Sequence, residues 1–236
     1  MKIFVTAGVH GDEPFSLKIV DRILAKNIPG VVVKIAHPEA IARGKRYLQT
    51  DLNRSFGSDQ NSIETLLARA IEQQIKNLKP EYIIDIHTSR SNVKSVAIVA
   101  KLCTKTKFIA QALGMQSIVV MPAHIVKSSL IGRFPNKAVS IEFGKNYRSN
   151  KLAMNIANRL ANLDDSFVKT DHNISVFEVV SVIDKNFENL EEIQNLEFNA
   201  KLGGYPFLAG LNTYDSIGGF LAHKLEVSLE ECRQKN

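Results

Sequence analysis

The chain has 236 residues, 44% hydrophobic and 23% charged, enough for one sizeable core with a smaller appended unit. No apolar run approaches the ~20 residues of a membrane span, and the N-terminal run Ile3 to Val9 is too short for a secretory signal, so no membrane partner is expected. The formal charge of +6 is uneven: residues 1–165 carry 24 Lys and Arg against 13 Asp and Glu, and the rest carry 6 against 11. A basic first part favours an anionic ligand. Nucleic acid is the rival, but no basic stripe interleaved with aromatics and no nucleic-acid-binding motif occurs, so a small carboxylate and no nucleic acid is the expectation. Cys103 and Cys232 lie far apart, outside any metal-ligand spacing, and point to a reduced, cytoplasmic compartment.

In chain order, Lys2 to Val9 reads as a short apolar strand running into Gly8-Val9-His10-Gly11-Asp12-Glu13. Pro14 suits the first turn of a helix carried by Phe15, Ile19, Val20, Ile23 and Leu24. Gly30 to His37 reads as a buried strand ended by Pro38. The segment Arg43 to Arg54 has neither helical nor strand period, yet it gathers Arg43, Arg46, Asn53 and Arg54, a good set for holding carboxylates. Asn61 to Leu78 predicts a helix, with Asn61 and Glu64 as a capping box and a buried stripe of Ile63, Leu66, Leu67, Ala70, Ile71, Ile75 and Leu78.

Pro80 stops that helix before a strand over Tyr82 to Ser89. Strands at Val93 to Ala100 and Ser117 to Met121 flank a helix near Thr106 to Leu113. Lys137 to Phe143 is a further buried strand, and Tyr147 to Leu163 a further helix. Such alternation predicts an α/β fold with a mostly parallel mixed sheet covered by helices on both faces. After Asp164-Asp165 the segments 167–184 and 207–229 look strand-rich, with glycine pairs at 203–204 and 218–219 as turns. Two domains are therefore expected: residues 1–165 and a smaller β-rich unit over 166–236.

His10 and Glu13 stand three apart where strand becomes helix, close enough to grip one ion. Asp85 and His87 alternate onto one face of the 82–89 strand. His10, Glu13 and His87 together form a two-His, one-Glu set, a catalytic zinc composition that leaves a fourth position for water. Asp85 is placed to orient a ligand imidazole. Glu142, alternating with Ser140 in an apolar strand, is a candidate general base whose pKa a crevice could raise.

The segments G-V-H-G-D-E, R-Y-L-Q-T-D-L-N-R, D-I-H-T and I-E-F-G occur in the order seen in the aspartoacylase and succinylglutamate desuccinylase family, related to zinc carboxypeptidases. The chain resembles that family from about residue 3 to 146, and more weakly beyond. The resemblance implies a carboxypeptidase-like fold, one zinc on His10, Glu13 and His87, and Glu142 as general base and acid. It implies Arg46 polarising the scissile carbonyl and Asn53 with Arg54 binding the substrate α-carboxylate. By the same likeness Arg133 would bind a side-chain carboxylate, and Tyr214 would reach the substrate from a second domain that caps the channel. Asp12 stands where Asn is more usual, and the chain is shorter than typical aspartoacylases.

The expected activity is zinc-dependent cleavage of an N-acetyl- or N-succinyl-type amino acid, a small anionic substrate, to a carboxylic acid and an amino acid. A zinc carboxypeptidase acting on peptides or cell-wall fragments, and a non-catalytic zinc-binding homologue, are the alternatives. A homo-oligomer is compatible with this reading.

Overall fold

A computed structural model describes residues 1–163 and 174–226. The expected domain boundary at 165/166 and Cys232 lie outside these residues. The elements in chain order are β1 (Ile3–Ala7), α1 (Pro14–Ala25), β2 (Val31–Ile35), α2 (Pro38–Ala42), α3 (Ile63–Leu78), β3 (Tyr82–Ser89), β4 (Ser95–Val99), α4 (Thr104–Ala112), β5 (Ser117–Val120), α5 (Ala123–Val126), α6 (Leu130–Arg133), β6 (Ala138–Gly144), α7 (Asn150–Ala161), β7 (Ser175–Ile183), β8 (Tyr205–Phe207) and β9 (Gly219–Leu225).

Among the described residues the nine strands make one mixed sheet in the order β2-β1-β3-β6-β4-β5-β7-β9-β8. Five pairings are parallel. β4 runs antiparallel to β6, and β9 antiparallel to both β7 and β8. The late strands thus extend the edge of the same sheet, β7 alongside β5.

Alternation along each strand sorts side chains between two apolar layers. Val5, Ile84, Ile86, Val139, Ile141 and Phe143 meet α1, α4 and α7 on one face. Phe4 and Ile83 meet α3 on the other, where Val96, Phe177 and Phe207 continue the layer. The polar side chains Thr6, Asp85, His87, Ser140 and Glu142 alternate with the first set, so they lie on the second face. That face is left uncovered by helix toward the C-terminal ends of β1, β3 and β6, where open α/β sheets place their ligands.

Local structure departs from periodicity at α3. Ser62, and not Asn61, caps it, accepting from Thr65 N at 3.1 Å. Its buried face is Glu64, Thr65, Ala68, Ile71, Glu72 and Ile75, while Leu66 on the opposite side is 57% exposed. Two carboxylates take inside positions because each finds partners there, which rotates the helix away from its apolar stripe. Leu24, at the edge of the α1 stripe, is likewise exposed. The short helices α2, α5 and α6 were not legible as helices, having too few residues to show a period.

Candidate metal centre and active-site cleft

The loop from β1 into α1 is built on two glycines. Gly8 takes φ +66°, a conformation costly for other residues. A Cβ on Gly11 would meet Ala40 C at 2.2 Å and Lys45 O at 2.4 Å, so only glycine lets the 40–46 backbone pass this close. Gly11 N donates to Arg46 O at 3.2 Å, which draws Arg46 over the end of β1. Glu13 occupies the N-cap of α1 without capping it, because its carboxylate is engaged elsewhere.

That carboxylate lies between the two histidines. His10 Nδ1 is 2.6 Å from Glu13 Oε1, His87 Nδ1 is 3.5 Å from Oε2, and Thr88 N donates to Oε2 at 2.8 Å. One ligand atom from each of His10, Glu13 and His87 falls within 4.8 Å of the other two, and all three residues are buried. Each imidazole turns its Nδ1 to this common point and gives its Nε2 to a second carboxylate. His87 Nε2 meets Asp85 Oδ2 at 2.8 Å, with Thr6 donating to Asp85 Oδ1 at 2.6 Å. His10 Nε2 meets Asp51 Oδ1 at 3.0 Å.

This donor set fits a zinc ion. Two imidazoles and a carboxylate converge, and each imidazole is oriented from behind by an acid, as metal-binding histidines characteristically are. The electrostatics agree. Burial disfavours charge on His10 and His87, but their carboxylate partners outweigh it and both imidazoles bind protons more tightly than usual. Burial likewise opposes ionisation of Glu13, and the hydrogen bonds from both histidines overcome it, holding its pKa far below the ordinary value. The cluster is organised around positive charge.

Glu142 pairs in register with His87 on the neighbouring strand and is 8% exposed. Burial raises its pKa from 4.5 to about 7, the range a general base at neutral pH requires. Arg46 Nη1 lies 3.7 Å from Glu13 Oε1 and Nη2 lies 3.5 Å from Asp51 Oδ2, with the side chain 43% exposed at the cleft mouth. Asn53 and Arg54 follow in a single 3-10 turn whose start is capped by Asp51, and Tyr214 packs edge-on against Phe220 at 5.5 Å. Glu142, Arg46, Asn53, Arg54 and Tyr214 line one cleft of about 160 Å³ together with His10, Glu13 and His87.

Arg133 does not join them. Its Nε donates to Glu72 Oε1 at 2.9 Å beneath α3, and its guanidinium lies against Gly57, outside the cleft. The expectation that it faces substrate is corrected by that ion pair with a buried carboxylate. Asp51, Arg90 and Arg148, by contrast, reach the site without having been singled out in the sequence. Asp51 joins His10 to Arg46, Arg90 pairs with Asp12 at 3.0 Å, and Arg148 donates to the backbone of Ser89 and Phe143. Asp51 could have been found from its place two residues before Asn53. The two arginines carry no local signal.

The loop bearing Arg46 and Asp51 is held by Glu64 of α3. Its Oε1 accepts from Leu48 N at 2.8 Å and Gln49 N at 3.0 Å, and its Oε2 from Thr50 N at 3.2 Å. His37, which also caps α2, meets Oε1 at 3.1 Å. A segment without secondary-structure period is thereby fixed beside the His10–Glu13–His87 cluster.

A probable aspartoacylase of Prochlorococcus marinus is 32% identical over a match covering 42% of this chain and 38% of that protein, so the match spans well under half of the relative's length. The succinylglutamate desuccinylase structure from Chromobacterium violaceum superposes with a TM-score of 0.74 at 18% identity, covering 96% of this chain and 85% of that one. Murine aminoacylase 3 superposes with a TM-score of 0.73 at 16% identity, covering 95% of each chain. At such identities the structural likeness establishes the fold. The family described as "Succinylglutamate desuccinylase/Aspartoacylase catalytic domain" matches residues 1–169. With this match spanning well over half the sequence, the chain belongs to the succinylglutamate desuccinylase/aspartoacylase family.

Proposed function

We propose that this protein is a zinc-dependent amidohydrolase that splits a small N-acyl amino acid into a carboxylic acid and an amino acid. The observation that carries this reading is the buried His10–Glu13–His87 cluster with Glu142 paired beside His87 in the same cleft. Zinc held by His10, Glu13 and His87 would supply Lewis acidity and lower the pKa of water to roughly 7.

The remaining chemistry belongs to the chain. Glu142 removes the proton of the attacking water and returns it to the departing nitrogen, a role its raised pKa suits. Arg46, fixed by Glu13 and Asp51, faces the oxygen that gains charge as the carbonyl becomes tetrahedral. Asn53 and Arg54, rigid in their capped turn, hold the α-carboxylate. Leu208, Thr213, Tyr214 and Phe220 contribute to the lining, which supports residues 166–236 acting as a cap on the channel. A cytoplasmic location accords with Cys103 remaining a free thiol. Among the described residues no helix is long and apolar enough to cross a membrane.

The test is amino-acid release from zinc-loaded protein given N-acetyl, N-succinyl and N-formyl amino acids, alongside peptides of three or more residues. The small cleft predicts turnover of acyl amino acids only. Preferential cleavage of the peptides overturns the reading in favour of a carboxypeptidase, and turnover of neither class favours a non-catalytic zinc protein.

A further inference from the structure

Two sets of side chains dominate the lining of the cleft. One holds the histidines, the carboxylates and Arg46, Arg54, Arg90 and Arg148. The other is a wall of Ile98, Met121, Ile125, Ile131, Leu208 and Phe220, drawn from β4, β9, the ends of β5 and β8, and the short helices α5 and α6. All but Ile125 are buried, yet each borders the cleft.

The positions of Glu142 and Ser140 decide what this wall receives. β6 carries Glu142 beside His87, and two residues earlier Ser140 lies in register with Ile98 of β4. The apolar wall therefore begins one pleat beyond Glu142, on the side away from the metal cluster. Glu142 delivers its proton to the departing nitrogen, so the leaving amino acid lies on that side and its side chain extends along the wall. This assignment of arms rests on the amidohydrolase reading.

No cation stands on the wall. Among the described residues, none of the elements that form it contributes a Lys or Arg to the cleft lining. Arg133, the one arginine of α6, is turned outward to Glu72. Arg90 is paired with Asp12, and Arg148 is bound to the backbone of Ser89 and Phe143 near the ends of β3 and β6. A side-chain carboxylate entering the pocket would lose its water and find no cation on the wall, only hydroxyls such as those of Ser129, Ser140, Thr213 and Tyr214. An aliphatic or aromatic side chain would replace water against six apolar residues.

We infer that the pocket beyond Glu142 takes an uncharged, apolar amino-acid side chain, so that the substrate is an N-acyl derivative of a residue such as leucine, methionine or phenylalanine and not of aspartate or glutamate. Met121, long and conformationally adaptable, is one of the wall residues.

The experiment compares kcat/KM of the zinc-loaded, full-length protein on N-acetyl-L-leucine, N-acetyl-L-methionine, N-acetyl-L-phenylalanine, N-acetyl-L-aspartate and N-succinyl-L-glutamate. The apolar substrates should exceed the acidic ones by roughly 100-fold or more, the scale on which a site rejects a group it leaves buried and unpaired. Equal or faster turnover of the acidic substrates overturns the inference and leaves the amidohydrolase reading intact. Ligand-induced shifts in Tm with the same five compounds answer the question independently of turnover. If none is cleaved, the chemistry fails, and the pocket assignment stands only if the apolar compounds raise Tm more than the acidic ones. Equal shifts, or none, overturn it. Met121→Ala, which keeps the wall apolar and deepens it, should raise the phenylalanine-to-leucine ratio of kcat/KM several-fold, and an unchanged ratio removes Met121 from the pocket.

Discussion

Glu64 lies outside the cleft, yet the loop that carries Arg46, Asp51, Asn53 and Arg54 hangs on its carboxylate. Glu64→Ala removes the acceptor for three backbone N–H groups and for His37, whose side chain, like that of Glu64, is fully buried. Hydrogen bonds to a charged group contribute about 1.5–3 kcal/mol each. They do not add fully here, because Gln49 is exposed and its freed N–H can turn to water. His37 cannot, and a buried polar group left without its partner costs a further ~1–3 kcal/mol. A loss of about 3–5 kcal/mol is expected, a large share of the ~5–15 kcal/mol that holds a domain. Glu64→Gln should cost less, since one oxygen still accepts while the new amide group faces donors. Urea denaturation gives the stability change, and amide hydrogen exchange at Leu48, Gln49 and Thr50 reports the loop directly. The pH dependence supplies a sign check. Burial opposes the charge on Glu64, but the backbone and His37 hydrogen bonds prevail and lower its pKa from 4.5 to about 2. Its contribution should be complete above about pH 4.5 and disappear as pH falls toward 2. Glu64→Ala within ~1 kcal/mol of wild type, with unchanged exchange at the three amides, would refute the role of Glu64 as the loop's anchor.

Purified protein should carry about one zinc per chain, and His87→Ala should lose it; metal analysis showing no zinc, with none taken up on addition, sinks the metal-centre reading. Glu142→Gln should retain zinc while kcat falls by a factor of ~100 or more; zinc lost in that variant would make Glu142 a ligand. The wild-type rate should decline as pH drops below about 7, because Glu142 acts in its ionised form, and bound cation can only move that midpoint lower; a rate that climbs on acidification contradicts the base assignment. Arg54→Ala should weaken binding of an acyl amino acid by about 10- to 150-fold through loss of a charge-assisted contact, while a substrate esterified at the α-carboxylate should be indifferent to the change.

What the sequence determined by itself was local. His10 and Glu13 are joined by three residues of chain, and Asp85 and His87 by the period of one strand, so their meeting was legible before any tertiary contact. Most strands and longer helices were legible for the same reason, their apolar positions recurring at the period of the element. Register was not: that Glu142 stands beside His87, and Ile98 beside Ser140, depends on how β6 pairs with β3 and β4. Nor was the inward turn of Glu64 and Glu72, which a helical wheel places no differently from solvated acids until Leu48, Gln49, Thr50 and Arg133 arrive from other parts of the chain. The direction of Arg133 was decided by that encounter. A long cationic side chain near a cleft can reach inward or outward at similar covalent cost, and the tertiary structure chose by placing the buried carboxylate of Glu72 on the outer side.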